Sequence, residues 1–136
     1  MATSNKERIG RALDSLLPEM RKYVEQELRD VYAEKWGQHV TPGEGQLDIQ
    51  RLCNTILAEW DPVFDVVLSK DARNLVHEIR KWRNKHAHQE PFTFDDTVAS
   101  LIDIQRFLEI IQSPVAEEVE RSKMEVMRAH FVSGAK

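Results

Sequence analysis

Cysteine, glycine and proline are scarce in this chain of 136 residues, and each shortage narrows the class of protein. A single cysteine, Cys53, cannot form an internal disulfide, so we expect an intracellular protein, cytoplasmic if bacterial and nuclear if eukaryotic. Five glycines and five prolines allow few turns, which favours long helices over a sandwich of short strands. The chain lacks any apolar run of about 18 residues, and its start, "MATSNKERIG", lacks the apolar segment of a secretory signal. We therefore expect neither a membrane span nor a signal peptide.

The charge of the chain is unevenly distributed. Its net charge of −4 argues against a surface coated with positive charge for nucleic acid. Between Lys70 and His88, however, six Lys and Arg residues face two Asp and Glu residues, a balance of +4, and three of the five histidines lie in the same window. A basic, histidine-rich segment on an acidic body indicates a localised anionic ligand.

Hydrophobic periodicity predicts helices in the first half of the chain. Residues 5–36 have helical spacing, and Pro18 fits best in the first turn of a second helix, so we expect two helices or one helix kinked at Pro18. Residues 37–46 hold three of the five glycines and form the clearest loop. A strongly apolar helix face resumes from Asp48 and includes Cys53, which we interpret as a buried structural thiol.

The second half of the chain predicts three further helices. Ser69 is a plausible N-cap for a helix from Lys70 to Ala87, and Thr93 with Asp96 resembles a capping box for the next helix. After Ser113-Pro114 follows a highly charged helix that can pack on the edge of the domain, pair with a partner chain, or lead to a further region. The prediction is an all-α, compact bundle of five to six helices, with a domain over residues 1–112 and a charged C-terminal helix or linker over 113–136.

One stretch, "RKWRNKHAHQEP" at residues 80–91, concentrates polar side chains at the end of a predicted helix. If residues 70–88 form a helix that turns about 100° per residue, their side chains divide into an apolar side and a polar side. The apolar side comprises Ala72, Leu75, Val76, Ile79 and Trp82, and the polar side comprises His77, Lys81, Asn84 and His88. Arg83 and His86 continue the apolar side instead. An inward Arg83 needs a partner, because burial of an unpaired charge is costly.

Two kinds of partner for Arg83 remain open on this pattern. A structural role would pair it with a domain carboxylate such as Asp65, Asp95 or Asp96, and a functional role would pair it with a ligand phosphate or another subunit. For His88 the structural alternative is a favourable interaction with the helix dipole.

The remaining histidines of this segment have plainer interpretations. We interpret His86 as packed and hydrogen-bonded, and His77 with Lys81 as a basic face or a groove lining. A metal site built from the three histidines of this segment is not expected, since no carboxylate lies at ligand spacing.

The segment "RNKHAH", residues 83–88, resembles the R-N-x-x-x-H motif of the HEPN superfamily (higher eukaryotes and prokaryotes nucleotide-binding). The likeness extends over residues 8–112 and includes "ALDSLLPEMRKYVEQEL", "ILAEWDPVF" and "FTFDDTVASLIDIQRFLEII". The chain resembles in particular the HEPN branch found in nuclear PIN-domain transcript endoribonucleases and in phage-defence ATPases. The resemblance implies an all-α bundle that dimerises, within a larger RNA-processing or defence protein.

The resemblance also implies a metal-independent endoribonuclease without a cofactor. Its catalytic residues would be Arg83, Asn84 and His88, with RNA as the partner. The positive residues that would bind the RNA are His77, Arg80, Lys81 and Lys85. On an ideal helix, Arg83 and His88 lie about 140° apart, so either an unwound helix end or two chains must bring them together.

Two further functions remain open beside the nuclease. The first is a non-catalytic HEPN module for dimerisation, RNA binding or protein docking, favoured by the acidic body because RNA affinity relies on many phosphate contacts. The second is a helical interaction domain whose motif is an accidental match, with its polar residues directed to solvent or to local carboxylates.

Overall fold

The structure, a computed structural model, describes residues 3–134 and forms five α-helices over that part of the chain. They are α1 (Asn5–Tyr32), α2 (Ile49–Ala58), α3 (Lys70–Ala87), α4 (Phe94–Ile110) and α5 (Ala116–Gly134). A 3-10 segment (Ala33–His39) follows α1, and a π-helical turn (Trp60–Phe64) follows α2. Because no strand occurs among these described residues, the prediction of an all-α bundle of five to six helices is confirmed.

Of the two arrangements expected around Pro18, a single helix is present, because α1 is continuous through this residue, and the start of a second helix there is wrong. Proline has no backbone N–H, so the carbonyl four residues earlier lacks its helical donor. Because Pro18 is exposed, water can hydrate that carbonyl. An unbroken apolar stripe keeps the helix together on both sides of the proline. Its buried residues are Ile9, Ala12, Leu13, Leu16, Met20, Val24 and Leu28.

Side-chain caps begin α2, α3 and α4, and the caps of α3 and α4 are the ones that the sequence predicts. Asp48 accepts from the backbone N–H of Arg51 at the start of α2, and Ser69 accepts from that of Ala72 at the start of α3. The capping box of α4 is present as well, with Asp96 in place of the usual Glu or Gln. These caps fix the first turns of α2, α3 and α4.

The other helices pack around α1, which contacts α2, α3, α4 and α5. Helix α3 also packs against α2 and α4, and α4 packs against α5, so the helices surround α1 in chain order. The fully buried large side chains Phe64 and Phe107 lie in the common core, and the half-buried Tyr23 of α1 packs near both rings. No helix among the described residues is long and apolar enough to cross a membrane.

The charged last helix packs on the edge of the bundle, one of the three arrangements expected of it. Ala116, Val119 and Val126 are buried against the rest of the domain, while Met124 and Phe131 remain exposed. An ion pair of 2.8 Å between Arg8 and Glu125 joins α5 to α1. The division into 1–112 and 113–136 remains a prediction.

Cys53 lies in α2 with no exposed surface. Burial raises the pKa of its thiol to about 12, so the nucleophilic thiolate is scarce at neutral pH. The interpretation as a buried structural thiol is confirmed.

Candidate functional site

Helix α3 carries the R-N-x-x-x-H motif on its last turns and ends in a well-defined way. The helix continues to Ala87, and the residue after its cap, Gln89, has a left-handed backbone with φ of 58°. The N–H of Gln89 donates to the carbonyl of His86, and the N–H of Glu90 donates to that of Lys85. This is a Schellman ending, so the helix is not unwound at the motif.

The motif residues lie on two sides of α3, as the helical spacing predicts. The inner groove runs between α1, the start of α2 and the end of α3, and it contains Arg83 and His86. The full inner lining is Gly10, Leu13, Asp14, Leu17, Asp48, Ile49, Arg83, His86 and Ala87. The outer groove runs along the opposite side of α3 and is lined by His77, Glu78, Arg80, Lys81, Asn84, Lys85 and Glu90.

Arg83 reaches across the inner groove to the start of α2. Its Nη2 atom lies 2.9 Å from Oδ2 of Asp48, and its Nη1 donates to Oε1 of Gln50 at 2.8 Å. A domain carboxylate does pair with Arg83, as the structural alternative predicts, but it is Asp48, which the packing of α2 on α3 brings close. The expected partners Asp65, Asp95 and Asp96 are wrong. The Arg83 side chain is 27% exposed, so its contacts remain accessible from the groove.

Asn84 connects the two sides of the helix. Its Oδ1 accepts a hydrogen bond from Nη1 of Arg83 at 3.2 Å, while the residue itself lines the outer groove. The structure therefore brings two of the three predicted catalytic residues into direct contact. Asn84 is half-buried, which limits the positions its amide can take.

His88 is the C-cap residue of α3 and is exposed. Its backbone N–H donates to the carbonyl of Asn84, whereas its imidazole makes no hydrogen bond to any described residue. Neither the inner nor the outer groove, as built from the described residues, includes His88. Within one chain, therefore, the His88 side chain lies outside the groove that contains Arg83.

His86 is a structural residue of the inner groove. Its Nε2–H donates to the carbonyl oxygen of Lys6 on α1 at 3.2 Å, which confirms the prediction of a packed, hydrogen-bonded histidine. Gly10 makes room for this ring, since a Cβ atom there would lie 3.0 Å from Nε2 of His86. The contact ties the end of α3 to the first turns of α1.

The predicted RNA-binding residues differ in how far they are already engaged. His77 and Lys81 are exposed. Arg80 donates to Oδ1 of Asn54 at 2.9 Å, and Lys85 lies 3.7 Å from Oδ2 of Asp96. The free positive charge of the outer groove is therefore concentrated at Lys81.

Sequence reasoning missed Asp48, Gln50 and Asp14 as neighbours of the motif. Asp48 did carry a signal, because an Asp before an apolar helix face uses one carboxylate oxygen as a cap and leaves the other free. Gln50 and Asp14 carry no comparable signal, since only the packing of α1 and α2 on α3 brings Gln50 to Arg83 and Asp14 to the inner groove. Among the described residues, no group of three or more His, Cys, Asp or Glu side chains could hold a metal ion.

An all-α bundle with R-N-x-x-x-H at the end of a late helix is the arrangement of a HEPN domain. Residues 11–112, which are 102 of the 136 residues, match the family described as Swt1-like HEPN, so the chain belongs to that family. No curated protein and no solved structure matches the chain. An unrelated helical domain with an accidental motif is thereby excluded, and α5 lies beyond the matched residues.

Proposed function

We propose that this domain is a metal-independent endoribonuclease that acts as a dimer through Arg83, Asn84 and His88. The observation that carries the proposal is the exposed His88 imidazole, which makes no hydrogen bond to the described residues at the fixed end of α3. A group that accepts a proton from RNA and returns it must reach the reacting atoms, and an exposed imidazole at a helix end is accessible to them. The accessible Arg83–Asn84 pair one turn earlier supplies the polar groups that a phosphate needs.

The proposed reaction is cleavage of RNA by its own 2′-hydroxyl. The 2′-oxygen forms a bond to phosphorus, the bond from phosphorus to the 5′-oxygen breaks, and the 2′ proton passes to an imidazole of His88. The 5′-oxygen leaves with the proton that the same His88 imidazolium returns to it. The planar fork of Arg83 stabilises the charge of the phosphorane, and Asn84 orients the phosphate.

A second copy of the chain completes the site in this proposal. Since α3 remains helical through Ala87, an unwound helix end does not bring Arg83 and His88 together. The stacking of Phe94 on His130 at 3.7 Å brings the end of α5 to the start of α4, which follows the motif. Phe131, which is 73% exposed, and Val132 lie at this end of the bundle. Such exposed apolar residues favour contact with a second copy near His88.

RNA binding in this proposal uses the outer groove. Lys81 is available for phosphate contacts, His77 lies beside it with Nδ1 3.4 Å from Nη2 of Arg80, and Arg80 and Lys85 add positive charge. The domain then serves an RNA-processing or defence protein inside the cell, as in the PIN-domain and phage-defence proteins that the sequence resembles.

A non-catalytic HEPN module is the second candidate, and a specific observation favours it. Asp48, Gln50 and Asn84 already occupy the guanidinium of Arg83, as expected for a structural link between α2 and α3. The net charge of −4 also limits affinity for RNA. In this role the domain would dimerise or dock without cleaving.

Cleavage of labelled single-stranded RNA in excess EDTA tests the proposal. We expect the wild-type domain to cleave, and His88→Ala and Arg83→Gln to lose about 100-fold or more of the rate. Asn74→Ala is the matched control, because Asn74 is an exposed residue of the same helix outside both grooves. No cleavage, or equal cleavage by the variants, would support the non-catalytic module.

A further inference from the structure

Asp48 performs two separate tasks with its two carboxylate oxygens. Oδ1 accepts from the backbone N–H of Arg51 at 2.9 Å and so caps α2. Oδ2 lies 2.9 Å from Nη2 of Arg83 and holds the guanidinium against the start of α2. The cap needs only an oxygen acceptor, whereas the contact with Arg83 depends on the negative charge.

We infer that Asp48 competes with RNA phosphate for Arg83 and thereby sets the RNA affinity of the site. In the free chain the carboxylate of Asp48 holds the guanidinium, and an incoming phosphate must displace it. The inference rests on the proposed function, since it assigns to that site a residue that controls when its arginine becomes available.

The geometry suits a contact that can be exchanged. Both partners are partly open to solvent, with 27% of the Arg83 side chain and 42% of the Asp48 side chain exposed. A partly exposed ion pair contributes little stability, so a second anion can replace it at low cost. Nη1 of Arg83 donates to Oε1 of Gln50 and to Oδ1 of Asn84, and these hydrogen bonds would keep the side chain oriented while Nη2 changes partner.

Asp48→Asn separates the two tasks of the residue. Asn is as good an N-cap as Asp, so α2 keeps its first turn, while the charge that holds Arg83 is lost. We expect this variant to bind a labelled single-stranded RNA about two- to fivefold more tightly, as expected for removal of one partly exposed ion pair. Binding is measured in a His88→Ala background with EDTA, which keeps the RNA intact under the proposed chemistry.

Asp14→Asn is the matched control for general electrostatics. Asp14 lines the same inner groove, and no described residue forms an ion pair with it. We expect its replacement to change RNA affinity less than Asp48→Asn does. An equal gain for both variants would mean that any carboxylate near the groove repels RNA, and it would overturn the assigned role of Asp48.

A double-mutant cycle with Arg83→Gln tests whether the effect passes through the arginine. With Gln at position 83, Asp48→Asn should leave RNA affinity unchanged, because Asp48 then holds no cation. If Asp48→Asn leaves RNA affinity unchanged in the protein that retains Arg83, the inference is contradicted. It is also contradicted if neither the Asp48→Asn variant nor its parent binds RNA. RNA that binds as described but is never cleaved would refute the nuclease and leave the role of Asp48 standing.

Discussion

At the scale of single residues, Gly10 and His86 lie where the first helix meets the motif. The His86 ring fills the space that a side chain at position 10 would occupy, and it donates to the carbonyl of Lys6. A Cβ atom at position 10 would lie 3.0 Å from Nε2 and 3.4 Å from Cε1 of the ring. A side chain at this helical position therefore requires the His86 ring to shift by a few tenths of an ångström.

Gly10→Ala should not provide the stability that Ala normally adds to a helix. Ala is favoured over Gly by about 1 kcal/mol in a helix interior, but here the new methyl group must displace the imidazole of His86. In a His86→Ala background the same replacement should gain that roughly 1 kcal/mol, because the space is then free. Urea unfolding measures both differences. A full gain in the presence of His86 would show that the ring moves aside without cost.

The sequence predicts the side of α3 on which each motif residue lies better than it predicts the residue that each one contacts. Helical spacing alone places Arg83 and His86 on the inner side and Asn84 on the outer side, because α3 is regular. The partner of Arg83 depends on how α2 packs on α3, which local spacing does not contain. For this reason Asp48 replaces the expected carboxylates from later in the chain.

At the scale of helices, α3 and α4 are joined by a polar contact at their interface. The indole Nε1–H of Trp82 donates to Oδ2 of Asp103 at 2.8 Å. Burial raises the pKa of the Asp103 carboxyl and the charge of Glu78 raises it further, while the Trp82 hydrogen bond and Arg106 partly offset this. In the folded protein, therefore, Asp103 binds a proton more readily than in the unfolded chain.

Asp103→Asn should stabilise the domain increasingly as the pH rises from about 4 to about 7. Between the ordinary pKa of 3.8 and the raised pKa of the folded state, Asp103 holds more protons in the folded protein than in the unfolded chain. Wild-type stability therefore declines as the pH rises through that window. Asn does not titrate there, and its Oδ1 can still accept from Trp82. Thermal unfolding of both proteins at the two ends of this range measures the difference. A difference that shrinks with rising pH would contradict the raised pKa.

Helix boundaries follow from local chemistry where a cap is present and fail where tertiary packing decides. Ser69 and Thr93 begin α3 and α4 at the predicted residues, since the cap is written in the local sequence. Pro18, a strong breaking signal, lies inside α1 because the buried residues on both sides share one apolar stripe. Packing of that stripe against the other helices outweighs the missing hydrogen bond.

At the scale of the whole molecule, the fold is predictable and the complete site is not. Amphipathic spacing and the scarcity of glycine determine an all-α bundle around α1. The site is harder because one chain directs Arg83 into the inner groove and exposes His88 at the end of α3. In the proposed dimer, the surface contributed by a second copy would leave no periodic pattern in the sequence.

Mixing two inactive variants tests the central proposal of a site shared between two copies. Arg83→Gln and His88→Ala should each be inactive alone. After subunit exchange, half of the dimers are mixed and each has one intact Arg83–His88 pair, so about a quarter of the wild-type rate should return. A mixture that stays inactive, although light scattering and mass labels show that mixed dimers form, would contradict a site built from two chains.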